Sequence, residues 1–120
     1  MEVKEQLNNT LAELLGRNSD IQSVVMATSD GITLTSVNLN DKSNRLAAMA
    51  AAALGLGNQV IATCQKGELE EILISGNKGK IFVYSISNNA VMVIVTKENP
   101  NVAMVNWEAK KTISQILELD

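Results

Sequence analysis

The chain has no histidine at all, and only one cysteine and one proline in 120 residues. Without histidine there is no side chain whose ordinary pKa suits proton transfer near neutrality. Ser-His and Cys-His nucleophilic centres and histidine-based metal sites are therefore excluded. A single cysteine, Cys64, allows no disulfide framework and no zinc cluster, and fits a reducing compartment. A clustered excess of basic charge is also missing. Ten Lys and Arg face thirteen Asp and Glu, for a net charge of -3. The sequence pI is near 4.9. No Lys/Arg cluster stands out in the sequence that would neutralise a phosphate backbone, so a nucleic-acid partner is not expected. The N-terminal string MEVKEQLNNTLAELL carries acids and amides where a secretory leader needs a basic start and a continuous apolar run, and a cytoplasmic location is expected.

Glycine-loop chemistry is absent as well. Gly55-Leu56-Gly57 lacks the third glycine of a dinucleotide fingerprint, because Val60 stands there, and the pair falls inside a helix. Gly79-Lys80 lacks the rest of a phosphate loop and reads as a turn. Glu68, Glu70 and Glu71 form a carboxylate group without metal spacing. They open a strand on which Glu70 and Glu71 are expected on opposite faces. No cofactor and no metal are expected.

What the chain does have is a long stretch without charge. From Leu46 to Gln65 it runs LAAMAAAALGLGNQVIATCQ. Its length approaches that of a bilayer span, but Ala and Gly contribute little transfer energy and the amides Asn58, Gln59 and Gln65 oppose insertion. No membrane insertion is expected. Surface helices ordinarily turn a polar face to water; this one is small and apolar all round. One face, with Leu46, Met49, Ala50, Ala53, Gly57, Val60, Ile61 and Cys64, is predicted to lie on the protein's own core. The opposite face, with Ala48, Ala51, Ala52, Gly55, Asn58, Gln59 and Ala62, is predicted to be flat and to meet another protein.

The remaining elements follow from periodicity and turn chemistry. Val3, Leu7, Leu11, Leu14 and Leu15 mark an amphipathic helix over 2–16. IQSVVMAT reads as a strand covered on both faces, and Ser29-Asp30-Gly31 turns it into the strand ITLTSV. Asp41 or Ser43 is placed to cap the uncharged helix, and Gly67 to stop it. Strands are predicted at Leu69–Ser75, Lys80–Ser87 and Ala90–Thr96, joined by short turns into an antiparallel meander. A last helix is predicted to begin at Pro100 with Asn99 as its cap, and carries Val102, Val105, Ala109, Ile113 and Ile116 on one stripe. Trp107 lies beside that stripe, at the rim of the core or as an anchor for a partner. The order is α-β-β-α-β-β-β-α in one domain over 1–120.

That order, together with VVMATSDGITLTS (24–36), AAMAAAALG (47–55), GELEEILISG (67–76), VMVIVT (91–96) and VNWEAKK (105–111), resembles the roadblock/LC7 family along nearly the whole chain. The resemblance implies an α+β, profilin-like fold: a five-stranded antiparallel sheet with the Ala-rich helix on one face and the terminal helices on the other. It further implies a homodimer, in which third strands pair edge to edge and Ala-rich helices pack across a two-fold axis. In this chain Ala48, Ala51, Ala52, Gly55, Gln59, Glu71 and Leu73 fall in that interface. Family members include regulators and scaffolds of small Ras-like GTPases, some of which stimulate GTP hydrolysis, and structural adaptors of motor or signalling assemblies. A small Ras-like GTPase is thus the expected partner, and dimerisation of a larger assembly with no effect on nucleotide turnover the alternative. No catalytic residue transfers. Of the two arginines, Arg17 ends the first helix and Arg45 begins the long one, neither on an extended loop suited to an arginine finger. Lys42, Arg45, Asn58 and Gln59 are the polar groups that helical geometry offers to a partner.

Overall fold

Eight elements follow one another with short connections in the computed structural model, which describes residues 2–39 and 41–119. They are α1 (Val3–Arg17), β1 (Ile21–Thr28), β2 (Thr33–Val37), α2 (Ser43–Thr63), β3 (Glu71–Gly76), β4 (Gly79–Ile86), β5 (Ala90–Thr96) and α3 (Val102–Leu117). The strands form one antiparallel sheet in the order β2-β1-β5-β4-β3. β1 and β5, apolar on both faces, occupy the middle and are buried almost throughout. β2 and β3 are the edges.

The sheet separates two cores. On one face, Leu11 and Leu14 of α1 and Val105, Ala109 and Ile116 of α3 pack on Val24, Met26, Phe82, Tyr84, Met92 and Ile94. On the other, Ala47, Ala50 and Leu54 of α2 pack on Val25, Ala27, Val83, Val91 and Val93. The alternation of inward residues along β1, β4 and β5 makes both cores from the same strands.

Three turn details differ from the sequence-based expectation, each because backbone geometry selected another residue. α2 begins after Lys42, whose backbone is already helical, and no side chain caps it. Ser43 is instead buried at the helix start. The helix ends at Thr63 and is closed by Gln65, which takes the left-handed conformation (φ 55°), while the amides of Gln65 and Lys66 donate to the carbonyls of Ala62 and Ile61. That is the hydrogen-bond pattern of a Schellman close; Gly67 is also left-handed but follows it. α3 is capped by Asn101, whose Oδ1 accepts from the Met104 amide at 3.0 Å, and not by Asn99, which sits at φ 54° in the turn before it. The expected glycine turn between β1 and β2 does form, with Gly31 at φ 89° and no room for a Cβ beside the Ala48 backbone.

Candidate interaction surface

α2 crosses the sheet with its narrow side down. Ala47, Ala50 and Leu54 are buried, and Ala51, Ala53, Gly57 and Ile61 are half-buried. A Cβ on Gly57 would stand 3.0 Å from Leu69 and 3.1 Å from Ile72, so this glycine lets the helix settle onto the start of β3. Gly55 has nothing within 4 Å and opens outward. The buried arc is therefore rotated relative to the sequence-based expectation. Met49, Val60 and Cys64, expected in the core, are exposed, and Ala51, expected outside, is half-buried.

The rotation changes the character of the outer face. It carries Met49 (57% exposed), Leu56 (64%) and Val60 (54%) at helical spacing, with Ala48, Ala52, Gly55 and Gln59 between and beside them. This is an apolar stripe of large side chains on a bed of small ones, more than the flat, featureless face expected. Among the described residues, α2 is also the one helix long and apolar enough to cross a bilayer by length and composition. Its inner flank is committed to the sheet.

A second open surface is the edge of the sheet at β3. β3 pairs only with β4, in the register Ile72↔Val83, Leu73↔Phe82 and Ile74↔Ile81. Residues opposite one another share a face. Ile74 thus lies on the α2 side and Leu73 on the side of the terminal helices, and both are substantially exposed. A row of free backbone donors and acceptors flanked by apolar side chains is a template for another strand. No proline or inward-pointing charge blunts the Leu73–Ser75 half.

Glu71 marks the beginning of that edge. It lies opposite Tyr84 in the register. Its Oε1 is buried and accepts no hydrogen bond from the described residues, lying 3.7 Å from the Lys110 ammonium. Glu70 reaches the same ammonium at 4.0 Å, so both carboxylates lean toward α3 instead of parting to opposite faces. Burial, and then the Glu71 charge, push the Tyr84 phenol well above its ordinary pKa, and its hydroxyl donates to Asn106 Oδ1 at 2.7 Å. Tyr84 is a packed, neutral residue here.

The polar groups expected to meet a partner are brought only partly together. Lys42 and Arg45 stand exposed at the start of α2, beside Leu39, Leu46 and Met49. Asn58 is exposed further along, over a shallow cleft with Ser29, Gly55, Ser85 and Asn88, and Gln59 lies on the outer face. Arg17 is engaged: its Nε donates to Glu108 at 2.8 Å and its Nη2 to Thr112 at 3.1 Å, tying α1 to α3. Trp107, missed as a surface feature by any core-rim reading, is 58% exposed with the Lys111 ammonium 5.1 Å from its ring centre.

Comparison with known proteins places this geometry. The family model for the roadblock/LC7 domain matches residues 7–96. The chain belongs to the roadblock/LC7 family. No curated protein matches it in sequence. Among solved structures, the roadblock/LC7 domain from Streptomyces avermitilis superposes with a TM-score of 0.87 at 16% identity, over 92% of this chain and 93% of that one. The gliding protein MglB from Thermus thermophilus gives 0.86 at 15% identity, over 97% and 89%. Profilin IB from Acanthamoeba castellanii gives 0.70 at 12% identity, over 92% and 96%. At these identities the likeness is one of fold, and it is the profilin-like roadblock fold that the family resemblance implied.

Proposed function

We propose that this roadblock/LC7 chain acts in the cytoplasm as a homodimeric, non-catalytic regulator or scaffold for a small Ras-like GTPase. The observation that carries the reading is a pair of unsatisfied surfaces, the apolar outer stripe of α2 and the open edge of β3, in a chain of a family that contains such regulators. Gly57 seats α2 directly over Leu69 and Ile72, so a two-fold axis beside β3 brings both surfaces against their copies at once. In that dimer Ala48, Ala51, Ala52, Gly55, Gln59, Glu71 and Leu73 line or flank the contact, the small residues allowing the helices to come close. Glu71 gains there a chance of a donor for its orphaned oxygen. Lys42, Arg45, Asn58 and Gln59 are left to meet the GTPase.

Any stimulation of hydrolysis acts by positioning the GTPase's own groups. Arg17 is locked between the terminal helices, and Arg45 extends from a helix, not from a loop that could enter a nucleotide site. Light scattering at micromolar concentration tests the first step: a dimer mass is expected, and a monomer mass overturns the reading. Capture from lysate loaded with GTP or GDP, read by mass spectrometry, tests the second. A GTPase retained with a nucleotide preference supports regulation. Retention of another subunit, with no nucleotide dependence and no change in hydrolysis, points instead to the structural adaptor.

A further inference from the structure

α3 buries Val105, Ala109, Thr112 and Ile116 and turns the opposite stripe to solvent. On that stripe Trp107 stands four residues from Ala103, three from Met104 and four from Lys111, so its side chain neighbours each of theirs. Asn101, Ala103, Met104 and Trp107 line a shallow apolar depression. A half-exposed tryptophan beside a half-exposed methionine is a costly combination for a free surface and a common one at the centre of a protein contact.

The charges around it say what the contact requires. Lys110 already lies beside Glu70 and Glu71. Lys111 has no carboxylate within ion-pair reach among the described residues; its ammonium rests over the Trp107 ring instead. Beside the depression, next to the Trp107 ring, stands a cation without a counter-ion among the described residues, in a chain that is acidic overall.

We infer that this face of α3 is a docking surface for an acidic, apolar segment of a different protein, its apolar side chain on Met104 and Trp107 and its carboxylate on Lys111. Self-pairing of two α3 helices does not meet that need. Antiparallel pairing of two α3 helices about Trp107 sets Lys111 against Ala103, and parallel pairing sets lysine on lysine. An anionic membrane is disfavoured because recognition of that kind draws on larger clusters of basic residues, and the neighbouring lysine here sits between two glutamates. The site lies on the side of the sheet away from α2 and stands whether or not the proposed dimer forms. With it, the protein carries one face for the family's assembly and another for a client.

Trp107 is the only tryptophan, so its emission reports on this site alone. The probe is a synthetic amphipathic peptide with leucine on one face and glutamate on the other, titrated to millimolar concentration and followed also by calorimetry. A saturating blue shift is expected, weakened by salt. Trp107→Ala should weaken binding by about thirtyfold, the scale of an interface hot spot, measured by calorimetry. Lys111→Glu should weaken it by about tenfold, while the same charge reversal at exposed Lys4, near the start of α1, leaves it unchanged. Circular dichroism confirms that each variant is folded, as exposed substitutions should be. Absence of binding, equal binding of the peptide with lysine in place of glutamate, or indifference to Trp107→Ala and Lys111→Glu overturns the inference. A blue shift with phosphatidylserine vesicles and none with the peptide overturns it in favour of a membrane.

Discussion

The two faces of the sheet are made from the same strands and are filled in opposite ways. Beneath α1 and α3 lie Phe82, Tyr84, Met92, Ile94, Leu11 and Leu14, all essentially without solvent contact, with Phe82 and Tyr84 stacked at 6.3 Å. Beneath α2 the helix contributes mainly Ala47, Ala50 and Leu54 against valines. Large side chains fix the terminal helices at a distance, and the Arg17–Glu108 pair pins them to each other. Small side chains let α2 sink close to the sheet while its bulky residues point away. One face commits its apolar bulk to folding; the other keeps it available for association.

The largest test of that contrast is Phe82→Ala. Truncating a fully buried aromatic residue on the terminal-helix face should cost about 3–5 kcal/mol in urea denaturation. Met49→Ala, on the outer stripe of α2, should leave the monomer within about 0.5 kcal/mol of the original. Similar losses would erase the distinction. Next comes Arg17→Ala, which leaves the Glu108 carboxylate buried without its cation and should cost about 1–2 kcal/mol, measured the same way.

The α2 face should respond in association instead. Gly55→Glu removes a helix-interior glycine and should raise helix propensity by under about 1 kcal/mol, so the thermal midpoint should hold or rise slightly under conditions where only monomer is present. The same change buries a carboxylate in the proposed helix crossing and should shift light scattering toward monomer. A dimer unaffected by it places the interface elsewhere. Smallest in stability is joint reversal of Lys42 and Arg45, expected within about 0.5 kcal/mol for exposed charges, yet weakening GTPase binding by about tenfold. Unchanged GTPase binding would leave the α2 start without a role.

Most of the fold was legible because its signals are local. Val3 through Leu15 announce α1 by spacing, and Gly31 forms its turn where the sequence places it. The rotation of α2 was not legible, since a helix of alanines and glycines offers almost no contrast between its sides. Its phase is decided by how Leu54 fits over Val91 and Val93 and how Gly57 admits Leu69 and Ile72, both long-range facts. Cys64 went outward with that rotation. Trp107 was left between core rim and partner anchor for a related reason, and the structure turns it outward because Val105, Ala109, Thr112 and Ile116 already fill the buried arc of α3. That α2 turns a face to another protein was read from its lack of charge and its dimer geometry implied by resemblance, whereas the open edge of β3 is visible only once strand order is known.

At the other border of the sheet the strand is built differently from β3. β2 is only five residues long, its register with β1 slips between Met26 and Ala27, and α1 leans over it, with Thr35 donating to Asn8 at 3.1 Å. Short length and irregular pairing are what discourage a strand from recruiting another. In the proposed dimer, joined at β3, each outer end is the blunt border of β2, so strand addition would stop at two chains instead of running on into a fibre.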